Sequence, residues 1–229
     1  MITSNVIHRV FNIRVGSALG TCFTVDVEGR QYVVTASHVL NQWDGVSPLE
    51  IRCKGSWHPV VWQLTGHSPS GADVSVLAPP SPLSPNYTML ATNEGITYGQ
   101  EVFFLGFPYG LTGLPYGLNK QVDAANRYYP MPLVKRATLS GWDQMNDSEV
   151  MLLDGHNNPG FSGGPVVFKS GNSKEFRVAG VVSGYHWRDH PILEGAKTTP
   201  YTYQYNTGII VAYSIQRAVE IIQANSTGP

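Results

Sequence analysis

Short apolar stretches separated by turn residues recur along the whole chain, a pattern that predicts strands rather than helices. In the first third, residues 6–15, 20–27, 31–35, 49–53, 60–64 and 74–78 read as six strands, with Glu28-Gly29 as the turn between the second and third. Residues 79–86 then hold Pro79, Pro80, Pro82 and Pro85. Proline cannot donate to a ladder, so this stretch is a linker. A second set of strands follows at 101–106, 133–142, 150–153, 165–168, 176–185 and 207–213. Between its first two members lies an aromatic, Gly- and Pro-rich loop, 107–130, whose length marks it as functional rather than filler. The last element is a helix. Ser214 is its expected N-cap, and Ile215, Ala218, Val219 and Ile222 share one face at helical spacing.

Two sets of six strands, a proline linker and a terminal helix predict an all-β protein of two packed six-stranded antiparallel β-barrels. The expected divisions are an N-terminal barrel over 1–78, a linker over 79–93, a second barrel over 94–213, and a helix and tail over 214–229. Composition narrows the function classes. Charged residues make up 14% of the 229, against roughly 25% in an average domain, which argues against coiled coils and helical repeats. An apolar content of 42% argues against disorder. No apolar run approaches the roughly 20 residues of a membrane helix. A net charge of −1 without a Lys/Arg cluster lacks the footprint of a nucleic-acid binder. No membrane or nucleic-acid partner is therefore expected. The amino-terminal residues show no secretory pattern, and Cys22 and Cys53 read as two reduced thiols, so a cytoplasmic location is expected unless a leader has been removed.

The sharpest chemical signal is the segment Asn157-Asn158-Pro159-Gly160-Phe161-Ser162-Gly163-Gly164-Pro165. Glycines on both sides of Ser162 allow a sharp bend and close approach by a carbonyl, and such a turn aims successive N–H groups at one point. Taken alone, Gly-Ser-Gly more often marks a plain hairpin. A serine nucleophile also needs a base. Among seven histidines, His38 stands out, because the β-branched run Tyr32-Val33-Val34-Thr35 leads straight into Ala36-Ser37-His38. Asp73, opening the apolar stretch Val74-Ser75-Val76-Leu77, is the acid best placed to orient it.

The order His38, then Asp73 after 35 residues, then Ser162 after 89 more, resembles the trypsin-like serine protease family with its chymotrypsin-like fold. Asp154-Gly155-His156-Asn157-Asn158-Pro159-Gly160-Phe161-Ser162-Gly163-Gly164-Pro165 is similar to the Asp-x-x-x-Asn-Pro-Gly-Asn-Ser-Gly-Gly-Pro of the bacterial HtrA (Deg) branch. Ala137-Thr138-Leu139-Ser140-Gly141-Trp142 and Gly180-Val181-Val182-Ser183-Gly184 are similar to it too. The resemblance implies a serine endopeptidase acting on protein or peptide substrates without metal or cofactor. Ser162 would be nucleophile, His38 general base and Asp73 the orienting carboxylate, with the N–H groups of Gly160 and Ser162 as oxyanion hole. The strand through Ser183, Gly184 and Tyr185 would pair with an extended substrate, and His156 would lie near the specificity pocket.

Several positions depart from the pattern. Phe161 replaces the acid that captures a new amino terminus in digestive relatives, so zymogen cleavage of that type is not expected. Val39 stands where extracellular relatives carry a bridging cysteine, and Cys22 reads as a buried thiol. HtrA proteins add a PDZ module that is not recognisable here. His156 in place of an acid argues against trypsin-like selection of basic side chains, and Tyr185 implies a narrowed pocket. A regulatory partner or fused sensor is compatible with the sequence, which does not speak to oligomeric state. The rival reading is a catalytically silent or partner-gated scaffold of the same fold that binds an extended peptide or partner. A metal hydrolase built on His186 and His190, or on His58 and His67, lacks helical ligand spacing.

Overall fold

The computed structural model describes residues 2–85, 89–113, 130–145, 147–171 and 173–225. A short helix α1 (Ser4–Ile7) precedes the first sheet, whose strands are β1 (Val10–Val15), β2 (Ala18–Val27), β3 (Arg30–Thr35), β4 (Leu49–Cys53), β5 (Ser56–Val60), β6 (Gln63–His67) and β7 (Ser75–Ala78). The second half carries β8 (Glu101–Gly106), β9 (Leu133–Met145), β10 (Ser148–Asp154), β11 (Pro165–Phe168), β12 (Arg177–Glu194) and β13 (Lys197–Ser214). Helix α2 (Gln216–Ala224) ends the described chain.

The second half is the closed six-stranded antiparallel barrel that the pattern predicts, in the order β10-β13-β12-β11-β8-β9. The first half differs from expectation. It is a seven-stranded sheet, β5-β4-β1-β2-β3-β7-β6, whose ladder does not close. The single strand expected over 60–64 is two strands divided at Val61-Trp62, one at each end of the sheet, with Trp62 turned into the core. Pro59 explains why β5 is an edge, since it has no N–H to offer a further neighbour. Tight turns set the registers. Glu28 and Gly29 both have positive φ (51° and 79°) between Val27 and its partner Arg30. Lys54 and Gly55 repeat the device with the same angles between Cys53 and Ser56.

Three apolar clusters hold the fold. Phe11, Ile13, Cys22, Val33, Ile51, Trp62 and Leu77 fill the first half. Phe104, Leu139, Met151, Phe161, Val166 and Ile210 fill the barrel. A third cluster joins Phe23, Val34 and Val76 of the first half to Leu105, Phe107 and Val178 of the second. Helix α2 crosses back onto β6 and β7, burying Ala218, Ile221 and Ile222, while Val219, expected on the buried face, is only half-buried. The Ser214 hydroxyl accepts from the Gln216 N–H at 3.3 Å, so Ser214 serves the helix start from one position before Ile215. Of the loop 107–130, residues 114–129 lie outside the described residues.

Candidate active site

His38 lies in a 3-10 turn, Ser37–Leu40, that continues β3. Val39 and Leu40 are buried in the first-half core, which fixes the turn and leaves the imidazole facing out. Asp73 precedes β7, beside the fully buried Val74. Its Oδ1 accepts from the His38 main-chain N–H at 2.8 Å, and its Oδ2 lies 2.6 Å from His38 Nδ1. A third bond, also 2.6 Å, comes from the Ser183 hydroxyl on β12. The side chain of Asp73 is 18% exposed and that of His38 45%, so the carboxylate is sheltered while the imidazole is open to a ligand. Burial alone would push the Asp73 carboxyl up. The hydrogen bonds and charge of His38, together with the Ser183 hydroxyl, outweigh it and hold the group below its ordinary value. An ionised carboxylate only accepts, so the imidazole proton sits on Nδ1 and Nε2 is left as an acceptor.

Ser162 sits on a turn fastened from three sides. Thr21 on β2 donates its hydroxyl to the Gly160 carbonyl at 2.7 Å and its main-chain N–H to the Ser162 carbonyl at 2.9 Å. The Tyr109 N–H donates to the Pro159 carbonyl at 2.9 Å, and the Gly164 N–H to the Phe161 carbonyl at 2.8 Å. In a trans peptide the C=O and the following N–H point opposite ways. Pinning the Pro159 and Phe161 carbonyls therefore turns the Gly160 and Ser162 N–H groups to the other side of the loop. Glycine is required at two places. Gly160 has φ +104°, and a Cβ there would lie 2.4 Å from the Phe107 carbonyl oxygen. Gly163 has φ +82°, and a Cβ would lie 2.1 Å from the Thr21 carbonyl oxygen.

Phe161 points away from the site into the barrel core, fully buried against Phe104 at 4.9 Å between ring centroids. Lys135 on β9 braces the same loop. Its ammonium donates to the His156 carbonyl and, at 3.0 Å, to Asn158 Oδ1, and lies 5.7 Å from the centre of the Phe161 ring. Asn157 is buried, donating to the Gly184 carbonyl at 3.1 Å and accepting at its own carbonyl from Asn206 at 2.8 Å.

The structure thus gathers His38, Asp73, Ser183 and Ser162. Ser162 Oγ donates to the Ser183 carbonyl at 3.0 Å rather than to His38. Ser183, Gly184 and Tyr185 line a cleft of about 430 Å³ with Met145, His186, Trp187, Val211 and Tyr213. His156 is exposed and does not line that cleft. Sequence reasoning assigned Ser183 to substrate alone and overlooked its bond to Asp73. It also missed Thr21 and Lys135, for which no local motif exists. Cys22 and Cys53 are free thiols, and burial pushes the Cys22 thiol well up. Among the described residues no three His, Cys, Asp or Glu side chains gather as a metal site.

A sheet and a barrel packed face to face, with His38 and Asp73 on one and Ser162 on the other, make the chymotrypsin-like fold of a peptidase. Residues 20–173 match the family model described as a trypsin-like peptidase domain, and the chain belongs to that family. No curated protein sequence matches it. Among solved structures it is similar to the HtrA-type protease AlgW with a tripeptide, in a variant form at 21% identity and TM-score 0.62, covering 96% of this chain and 61% of AlgW. It is also similar to the inactive form of the Rv3671c protease of M. tuberculosis, at 19% identity and TM-score 0.55, covering 96% of this chain and 89% of that one. The chain therefore spans about three-fifths of the length of AlgW.

Proposed function

We propose that the chain is a serine endopeptidase that cleaves peptide bonds of protein substrates through an acyl-enzyme. The observation that carries this reading is the placement of one sheltered carboxylate, Asp73, on both the N–H and Nδ1 of His38 and on the residue that holds Ser162 Oγ. Rotation about the Ser162 side chain releases the Ser183 carbonyl and offers the hydroxyl to His38 Nε2. Nε2 takes the proton as Oγ attacks the scissile carbonyl carbon, and the charge on the resulting oxygen falls to the Gly160 and Ser162 N–H groups. The proton then passes from Nε2 to the leaving amine. Water, deprotonated by the same nitrogen, hydrolyses the ester and returns Ser162. Asp73 holds the tautomer and stabilises the imidazolium.

Activation by a new amino terminus is not part of this reading, because Phe161 offers that terminus no charge and its ring is engaged by Phe104. The free thiols of Cys22 and Cys53 suit a reducing, cytoplasmic setting. The test is labelling of the purified protein with a fluorophosphonate probe. Stoichiometric labelling of the wild type, lost in Ser162→Ala and strongly reduced in His38→Ala, is expected. An unlabelled wild type returns the chain to the alternative of a silent or partner-gated scaffold.

A further inference from the structure

The turn that carries His38 is fastened from two sides, and Asp73 supplies only one of them. The stretch that begins at Asp73 continues into β7 through Val74, Ser75 and Val76, all fully buried. Ser75 is the one hydrogen-bonding side chain of β7, Ser75-Val76-Leu77-Ala78, and a buried hydroxyl needs a partner. It has two. Its Oγ lies 2.7 Å from the hydroxyl oxygen of Ser37, the residue before His38, and 2.6 Å from Nδ1 of His67 on β6. The ladder explains the placement. Ser75 stands opposite Thr35 of β3, two residues before Ser37, and opposite His67 of β6. His67 itself is exposed. Weighed above as a metal ligand with His58, it joins no metal cluster among the described residues.

Asp73 and Ser75, two residues apart, thus hold successive residues of one turn. Asp73 accepts from the His38 N–H and pairs with its Nδ1, while Ser75 meets the side chain of Ser37. Ser37, Ser75 and His67 form a chain of polar groups that starts beside the proposed base and ends at the surface. Two hydroxyls carry two protons, enough for two bonds, and the outer end fixes which way both run. With His67 Nδ1 accepting, Ser75 donates outward to His67 and Ser37 donates to Ser75. Bonds in such a chain polarise one another, so each is firmer for the presence of the next. Without His67 the buried Ser75 hydroxyl keeps a single partner, and its bond to Ser37 can run either way. A catalytic base tolerates little of this, because a small displacement from its target costs rate.

We propose that His67 is a positioning residue for the His38 base, holding through Ser75 and Ser37 the turn that aims the imidazole at Ser162. The inference rests on the peptidase reading above. His67 acts through the two serines and touches neither substrate nor the reacting atoms. Its effect therefore falls on the step in which Nε2 takes the Ser162 proton, and not on substrate binding.

The experiment measures kcat, KM and the phosphonate labelling rate on the full-length chain for His67→Leu, His67→Asn, Ser75→Ala, and His67→Leu combined with Ser75→Ala. Leucine removes the polar atom, and asparagine returns an amide oxygen or nitrogen close to where Nδ1 stood. His67→Leu should lower kcat and the labelling rate by about threefold to tenfold, with KM within about twofold of wild type. His67→Asn should recover most of that loss. In the Ser75→Ala background His67→Leu should cost nothing further, because a chain already cut has no outer end to lose. Should Ser75→Ala not fold, Ser37→Ala cuts the same chain from its other end and takes its place. An unchanged kcat in His67→Leu, a loss carried by KM, an Asn variant as slow as the Leu variant, or losses that simply add would each overturn the proposal. A second measurement needs no turnover. The His38 Nδ1 proton, shared with Asp73 over 2.6 Å, gives a downfield proton resonance characteristic of a short charge-assisted bond. It should shift or broaden in His67→Leu and return in His67→Asn. If the phosphonate does not label the wild type, the peptidase reading falls and this resonance alone decides: moved by leucine and restored by asparagine, the positioning of His38 stands; unmoved, it falls as well.

Discussion

Ser162 and Ser183 are joined by a hydrogen bond from the Ser162 hydroxyl to the Ser183 carbonyl, 3.0 Å long, while the Ser183 hydroxyl reaches Asp73 at 2.6 Å. One residue of β12 therefore touches both the proposed nucleophile and the carboxylate that orients the base. A hydrogen bond to a charged group contributes about 1.5–3 kcal/mol, and the sheltered carboxylate has few alternatives. Ser183→Ala removes the hydroxyl and leaves the carbonyl. Its kcat should fall by roughly tenfold with phosphonate labelling slowed but not lost. Unchanged kcat would mean that the hydroxyl is incidental.

Asp73→Asn tests the tautomer argument. An amide can donate where the carboxylate only accepts, so the imidazole proton can move to Nε2 and the base is lost, at a cost on the order of 10³–10⁴ in kcat. Stability follows the direction of the shift. The folded Asp73 carboxyl is held below its ordinary value, so its contribution is present above the ordinary carboxyl range and is lost as pH falls through that range toward the folded value. Urea unfolding should show the variant less stable than wild type at pH 7, with the gap narrowing below about pH 4. A gap that stays constant to pH 3 would contradict this.

Where the candidate site was readable from sequence, its tight turns demanded particular residue types. Ser162 needed glycines because backbone and side-chain atoms of β2 and β3 and of the segment after β8 crowd it, and His38 needed a small-residue turn after a β-branched strand. The barrel strands were readable because each alternates or is wholly apolar. The divided edge at Val61-Trp62 and the long ribbon formed by the outer parts of β12 and β13 were not. The former looks like one apolar stretch, and the ribbon is solvated on both faces, so neither leaves a one-sided pattern for periodicity to detect. Lys135 and Thr21 act on the loop that carries Ser162 from strands remote in sequence. Each looks locally like an ordinary strand residue.

Gly160→Ala separates backbone demand from mere turn preference. The added Cβ meets the Phe107 carbonyl oxygen at 2.4 Å, at a φ of +104°, whereas Gly29 has φ +79° with nothing within 4 Å of its Cβ. Both variants place alanine at positive φ, which costs on the order of 1–3 kcal/mol. Only Gly160→Ala must also move the N–H proposed to meet the oxyanion, so its kcat should fall by about 10²-fold or more while Gly29→Ala keeps wild-type turnover. Equal activity in the two variants would exclude a role for the Gly160 backbone.

Lys135 gives the loop that carries Ser162 a positive brace at the place where Phe161 removes any chance of an ion pair. The ammonium spans the His156 carbonyl and Asn158 Oδ1 and lies beside the Phe161 ring, so it holds the loop on both sides of the Pro159-Gly160 peptide. Lys135→Met keeps most of the aliphatic stem and deletes the charge and its donors. Its phosphonate labelling should slow by about tenfold, while its thermal midpoint falls by no more than about 4 °C and Lys135→Arg recovers part of the rate. Burial lowers the Lys135 pKa from its ordinary 10.5, so the wild-type brace loses its charge as pH rises through that lowered value. The wild-type labelling rate should therefore turn down on the alkaline side where Lys135→Met, already without the charge, shows no such step. Superimposable alkaline profiles for the two proteins would show that the ammonium does not hold the loop.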